Sequence, residues 1–307
     1  MLCAIAAGCG DNLAPIPSCR AAGDYEIDPR ASAGTLSPYD EIVLAAGPVA
    51  CWSMRDPSGV EPDLTGNGND GTYDLVPPFT VMPNGDPAAD FDGGKYLSIP
   101  SNASLSIPTT GSLTWEAWMK PDALELENPR GYVDWLGKCS SYSSACEWEA
   151  RFYDSINPQG RCNRFSAYVF NPTGGEGAGA DWQPVCGLLR ECEWHYVVGE
   201  YTLASQPADC PDAPSYPGSI DIWVDGVEWS QASHDPTGCM SQFDVVPAAN
   251  DSVLDIGTSA ADTLFDGAIG KVAIYPYVLD RDQIASHYQA MTGSQPSGTC
   301  GETCTTP

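Results

Sequence analysis

The chain has 307 residues and a formal net charge of −28, a field that repels nucleic-acid phosphates and anionic lipid and so excludes both as partners. No apolar run approaches the roughly 20 residues that span a bilayer, which leaves a lipid anchor as the route to a membrane. Thirteen cysteines, none in a zinc-type arrangement, point to disulfides and an oxidising compartment. The near-neighbour pairs are Cys139 with Cys146 and Cys210 with Cys239; Cys162 with Cys186 is a further candidate, and the connectivity stays open.

In chain order, the first segment is Met1-Leu2-Cys3-Ala4-Ile5-Ala6-Ala7-Gly8-Cys9-Gly10, small and apolar. It resembles the end of a bacterial lipoprotein signal, though it has no basic n-region and its apolar stretch is short. The resemblance implies residues 1–9 as a truncated signal with the lipid on Cys9, and a protein of the bacterial cell envelope, lipid-anchored or secreted. Residues 10–38, rich in Pro, Ala, Gly and Asp, read as a flexible tether that Cys19 can pin to the domain. Tyr39 to Ala46 forms a short helix ended by Gly47-Pro48, and Val49 to Met54 follows as a strand.

Strand signals then recur between Gly, Pro, Asn and Asp. Ala89-Asp90-Phe91-Asp92-Gly93 is a short strand running into a Gly-Gly turn. Leu113 to Lys120 alternates, with Trp115, Ala117 and Met119 on one face and Glu116, Trp118 and Lys120 on the other. Further strands are Tyr132–Leu136, Trp148–Tyr153, Arg164–Phe170 and Trp194–Tyr201. Ile220 to Trp229 is a hairpin on the Asp225-Gly226 turn, and Val253–Gly257 and Ala268–Tyr275 close the set. Asp280 caps a terminal helix from Arg281 to Met291, and residues 292–307 form a polar tail with Cys300 and Cys304. Many strands without βαβ alternation give an all-β fold, a two-sheet antiparallel sandwich with short flanking helices.

Five segments, in this order, carry a resemblance. Gly47-Pro48-Val49-Ala50-Cys51-Trp52, Asp63 to Tyr73, Leu113 to Pro121, Trp194 to Tyr201 with Ile220 to Gly226, and Phe265 to Tyr288 are similar to the successive motifs of the laminin-G-like (LamG, concanavalin A-like lectin/glucanase) domain. The likeness covers residues 39–291 and implies a jelly roll of two curved sheets, often with one structural Ca²⁺. Members of the family bind glycans, proteins or lipids.

Calcium takes about six to eight oxygens. The loop Asp63-Leu64-Thr65-Gly66-Asn67-Gly68-Asn69-Asp70 offers Asp63, Asn67, Asn69 and Asp70. The resemblance implies a further acid from an Ile-Asp-Glu-Val stretch. Here that stretch is Ile269-Gly270-Lys271-Val272, so Asp266 or a nearby carbonyl would have to substitute. The alternative reading of the loop is an Asn-Gly turn that needs positive φ. Trp52, Trp115 and Trp194 fall in strand patterns and read as core, which leaves loop-proximal Tyr142, Trp182 and Trp229 as candidate ligand contacts. Glycanases of this fold need paired carboxylates on one cleft face, and no Glu-x-Asp-x-x-Glu run occurs. Glu147 and Glu149 share a face but read as a solvated strand edge, Gly174 to Gly179 as a hairpin tip, and His195 and His287 as structural. The expected function is therefore a non-catalytic surface module that binds a polysaccharide or an extracellular protein and is stabilised by Ca²⁺. The alternatives are a divergent glycoside hydrolase or polysaccharide lyase, and a structural adhesion protein.

Overall fold

The computed structural model describes Cys19 and residues 35–107, 111–126, 130–139, 146–154, 164–170, 177–182, 190–202, 219–230, 247, 249–259 and 263–297, with the backbone alone at 177–182, 219 and 229–230. Helix α1 (Pro38–Ala45) opens the domain. Ser37 caps it and Asp40 answers as the third helical residue, a reciprocal capping box. The strands follow as β1 (Ala50–Trp52), β2 (Val60–Glu61), β3 (Gly71–Tyr73), β4 (Phe79–Val81), β5 (Pro87–Asp90), β6 (Leu97–Ile99) and β7 (Ser112–Pro121). After these come β8 (Tyr132–Cys139), β9 (Cys146–Tyr153), β10 (Arg164–Phe170), β11 (Gly177–Trp182), β12 (His195–Thr202), β13 (Ser219–Val224) and β14 (Val227–Ser230). The last strands are β15 (Leu254–Ile256), β16 (Thr258–Ser259), β17 (Thr263–Leu264) and β18 (Gly267–Tyr275). Helix α2 (Arg281–Thr292) is boxed by Asp280 and Gln283 and ended by left-handed Gly293.

Two eight-stranded sheets result. Sheet I runs β14-β13-β12-β7-β18-β5-β4, with β1 also paired to β18; sheet II runs β11-β10-β9-β8-β15-β6-β3-β2. All pairings are antiparallel, so the expected sandwich is what the chain forms. The alternation of β7 behaves as expected. Trp115, Ala117 and Met119 enter the core between the sheets, with Trp52, Trp135, Trp148, Phe152, Phe165 and Ile274. Trp118 faces outward into a second apolar layer formed with Tyr39, Val43, Ile284 and Met291 of the helices. The Asp225-Gly226 turn has positive φ at both residues, 53° and 77°, which suits the tight hairpin between β13 and β14.

Several readings change. The β1 strand is shorter than expected, while β8 and β9 extend to Cys139 and back to Cys146, which stand opposite each other in register. Those two cysteines are disulfide-bonded, and a second disulfide joins Cys19 to Cys192. The disulfides place the domain in an oxidising, extracellular or secreted setting. Cys51 is a free, buried thiol. Gly177 to Gly179 belong to the edge strand β11 and not to a hairpin tip. Trp194 is only partly buried; its indole donates to Val81 O from the outward side of sheet I. No helix among the described residues is long and apolar enough to cross a membrane.

Candidate functional site

Three polar centres stand out. The first is the loop between β2 and β3. Asp63 Oδ1 accepts from Cys51 N, Thr65 N and Thr65 Oγ1, and Oδ2 accepts from Asn69 N and Asn69 Nδ2. Asp70 Oδ1 accepts from Asp63 N, and the side-chain amides of Asn67 and Asn69 both donate to Val49 O. The sequence therefore does bring Asp63, Asn67, Asn69 and Asp70 together. Asp266 instead lies against Gly93, and its carbonyl accepts from Asp122 N. Asp63, Asp70 and Asp266 do not bring carboxylate oxygens within 4.8 Å of one another as a group of three. A calcium cage needs oxygens turned inward. Here Asp63 is turned onto N–H and O–H donors of its own loop and of β1, and within this loop Asn69 Oδ1 is a buried oxygen without a hydrogen-bond partner. As arranged, this donor set does not fit Ca²⁺.

The second centre lies on the outward face of sheet I, under the helices. Glu116 is fully buried. It accepts hydrogen bonds from Tyr196 OH and from Tyr275 OH at 2.8 Å, and pairs with His287 Nδ1 at 2.9 Å. Burial works against the charged imidazole, but the Glu116 carboxylate outweighs it and holds His287 above its ordinary value. On the neighbouring strand β12, burial pushes Glu200 up to about 8, against the Trp223 indole that donates to it and with Asp221 and Glu228 adding to the rise. Burial also raises Glu61, Glu147 and Glu149. Each of these groups keeps its proton to higher pH in the folded chain than in the unfolded one. Stability therefore falls as pH rises, from the ordinary carboxylate value of 4.5 to about 8 for Glu200, and from 6.5 upward for His287. Glu200→Gln keeps an acceptor for Trp223 and removes the buried charge. It is expected to raise the urea midpoint at pH 8 and leave it nearly unchanged at pH 4; no gain at pH 8 would contradict this reading.

The third centre is the outward face of sheet II. Asp134 on β8 and Arg151 on β9 stand opposite in register, as do Gly137 and Glu149. Arg151 Nε donates to Asp134 Oδ1 at 2.5 Å, and its NH2 group donates to Glu149. The guanidinium lies 4.1 Å over the Tyr132 ring and 4.7 Å over the Tyr168 ring, and the Tyr153 and Tyr168 hydroxyls bond at 2.7 Å. Phe170 and the Cys139–Cys146 bridge extend the apolar side. The hairpin β16–β17 supports this face, with Thr263 Oγ1 accepting from Asp134 N. Glu149 is thus buried among partners rather than solvated as the sequence reading had it. Glu147 is buried as well, paired to Lys138 at 3.2 Å and accepting from Ser106 and Ile107 N.

Of the other expected contacts, the backbone of Trp182 ends edge strand β11 opposite Phe165, and that of Trp229 lies in edge strand β14 opposite Ile222. Tyr142, Cys9, Cys162, Cys186, Cys210 and Cys239 lie outside the described residues. His195 is structural in the sense expected: buried, with Nδ1 2.9 Å from Asp225 of the hairpin turn. Sequence reasoning missed Arg151 and Asp134. The signal available was the run of Tyr132, Tyr153 and Tyr168 at outward positions, aromatic where a solvated face would be polar.

Comparison with known proteins sets this geometry in context. Residues 91–285 match the laminin G 3 family model, described as the concanavalin A-like lectin/glucanases superfamily. No protein with a curated description matches. Among solved structures, domain 4 of AbnA, a GH43 extracellular arabinanase from Geobacillus stearothermophilus in complex with arabinotriose, aligns with TM-score 0.51 at 17% identity over 79% of this chain and 98% of that one. The botulinum neurotoxin serotype D ligand binding domain in complex with N-acetylneuraminic acid aligns with TM-score 0.52 at 9% identity over 79% of this chain. The binding domain of Paraclostridial Mosquitocidal Protein 1 aligns with TM-score 0.52 at 10% identity over 80%. The chain spans about half the length of these two toxin domains, 50% and 53%. At such identities the likeness concerns the fold, which hosts carbohydrate-binding domains among others. With two stacked antiparallel sheets and a family match over more than half its length, the chain belongs to the concanavalin A-like lectin/glucanase superfamily.

Proposed function

We propose that the chain is a non-catalytic module that binds a carbohydrate outside the cytoplasm, through the aromatic and guanidinium-bearing face of sheet II and the loops around it. One observation carries the reading: Asp134 and Glu149, carboxylates on neighbouring strands, both clamp Arg151. Paired acids that cleave glycosides flank the scissile bond across a gap of about 5 Å or 6.5–9.5 Å, and these two flank a guanidinium. A planar fork among tyrosines has the chemistry to bond hydroxyl pairs and to stack on a sugar ring. Arg151 keeps 13% of its side chain exposed and so forms the solvent rim of the cluster. The sequence candidates Tyr142, Trp182 and Trp229 belong to the same proposal as ligand contacts. A bacterial envelope location, through a lipid on Cys9 or by secretion, belongs to the same proposal.

A protein partner is the second reading. It is favoured by Val60, Leu75 and Val76, which are 46%, 60% and 44% exposed around the short edge strand β2. A glycan array spanning neutral and acidic oligosaccharides separates the readings. The expected result is binding to a defined subset, weakened about tenfold in Arg151→Lys, which keeps the charge and loses the fork. Binding to nothing on the array would overturn the carbohydrate reading in favour of a protein partner or an adhesive role. Cleavage of a bound glycan would establish the hydrolase or lyase reading instead.

A further inference from the structure

The closing strand carries a lysine where the sequence resemblance implies an acid, and the surroundings of that lysine have the form of a cation site. Lys271 sits on a bulge of β18, where the register to β7 shifts between Gly270 and Ala273, and its φ is 53°. Its side chain is 1% exposed. Nζ lies 2.7 Å from Asp40 Oδ1, 2.9 Å from Asp86 Oδ2 and 3.5 Å from Ser37 Oγ. These oxygens come from separate places: the first turn of α1, its cap, and the turn between β4 and β5.

Each oxygen donor is fixed independently of the lysine. Asp40 Oδ2 accepts from Ser37 N at 3.0 Å and has the Arg55 guanidinium 3.9 Å away. Asp86 Oδ2 accepts from Asn84 Nδ2 at 2.9 Å. Burial would raise the Asp86 carboxyl, but Lys271 outweighs it and holds the group below its ordinary value. Two carboxylates thus flank one buried lysine. Next to it, Gly270 has no room for a side chain; a Cβ there would meet Met82 Sδ at 2.7 Å and Ala88 Cβ at 2.9 Å. The strand cannot present an acid from that position without displacing its neighbours. The loop expected to bind Ca²⁺ is closed by its own N–H donors around Asp63, which in turn holds the N–H of Cys51 on β1.

We propose that Lys271 is a built-in cation. Its ammonium bridges Asp40 and Asp86, with Arg55 as the second cation beside Asp40, and ties α1 and the β4–β5 turn to β18, so the domain's stability does not depend on Ca²⁺. The same oxygens become a divalent-cation site when the ammonium is removed.

Thermal unfolding of the full chain in EDTA and in millimolar Ca²⁺ tests this, on wild type and on Lys271→Met. Wild type is expected to melt at the same temperature in both. Lys271→Met is expected to melt about 10 °C lower in EDTA, as for a broken buried ion pair in a chain of this size, and to recover part of the loss in Ca²⁺. Adding Asp86→Asn to that variant should abolish the recovery. A wild-type melting temperature that falls in EDTA and returns with Ca²⁺ overturns the proposal, as does a Lys271→Met protein that melts like wild type or ignores Ca²⁺. If Lys271→Met does not fold, the wild-type comparison decides alone. Neither arm uses a glycan, so the result is independent of the proposed binding function.

Discussion

Replacing Glu116 with alanine is expected to lower stability by about 3–5 kcal/mol, the cost of breaking a buried charged network. The side chain has no solvent exposure to fall back on. Its removal leaves Tyr196 OH, Tyr275 OH and His287 Nδ1 without their shared acceptor. Each orphaned donor adds a desolvation cost of about 1–3 kcal/mol. The damage should be local to one interface, because His287 lies on α2 while Tyr196 and Tyr275 lie on β12 and β18. Trp118 stacks on both Tyr196 and Tyr288, so that layer loosens with it. Urea unfolding measures the total, and hydrogen exchange of the α2 amides should accelerate more than that of β9. Tyr275→Phe removes one bond alone and should cost only about 1 kcal/mol. Equal losses for the two variants would show that the network is not a unit.

Arg151→Met is the second large effect, also expected at about 3–5 kcal/mol. It leaves Asp134 and Glu149 as buried neighbours with no cation between them, and strips the ring contacts to Tyr132 and Tyr168. Glu149 already lies well above the ordinary carboxylate value, through burial and the Asp134 charge, against the pull of Arg151. Without Arg151 that opposition ends. The loss should therefore be largest at neutral pH and shrink as pH falls and the pair takes up a proton. In a double-mutant cycle, Glu149→Gln should recover part of the Arg151→Met loss, with a coupling of about 1–3 kcal/mol. Strict additivity of the two changes would mean that the clamp is not energetically joined.

How much of this could be read from the chain depends on range. The β7 alternation, the Asp225-Gly226 turn and the caps at Ser37 and Asp280 are local patterns, and local physics decides them. The Cys139–Cys146 bridge was legible because register follows from a short hairpin. The polar outward rows were not legible. Alternation says that Glu116 and Glu149 leave the inner core, but not that helices or a hairpin return to cover the outer faces. Lys271 illustrates the limit most clearly. Its partner Asp40 is 231 residues away, so the sequence shows a missing acid and hides the ammonium's role. For the calcium loop, the sequence grouped the right four residues and could not show that Asp63 faces N–H donors.

The most direct measurement of binding without chemistry is prolonged incubation of the protein with an oligosaccharide it captures, with calorimetric stoichiometry and the oligosaccharide's length followed together. One saccharide per chain, recovered at its original length, is the result expected when Asp134 and Glu149 hold Arg151. Shortened product that disappears in Glu149→Gln would contradict it and make that pair an active centre.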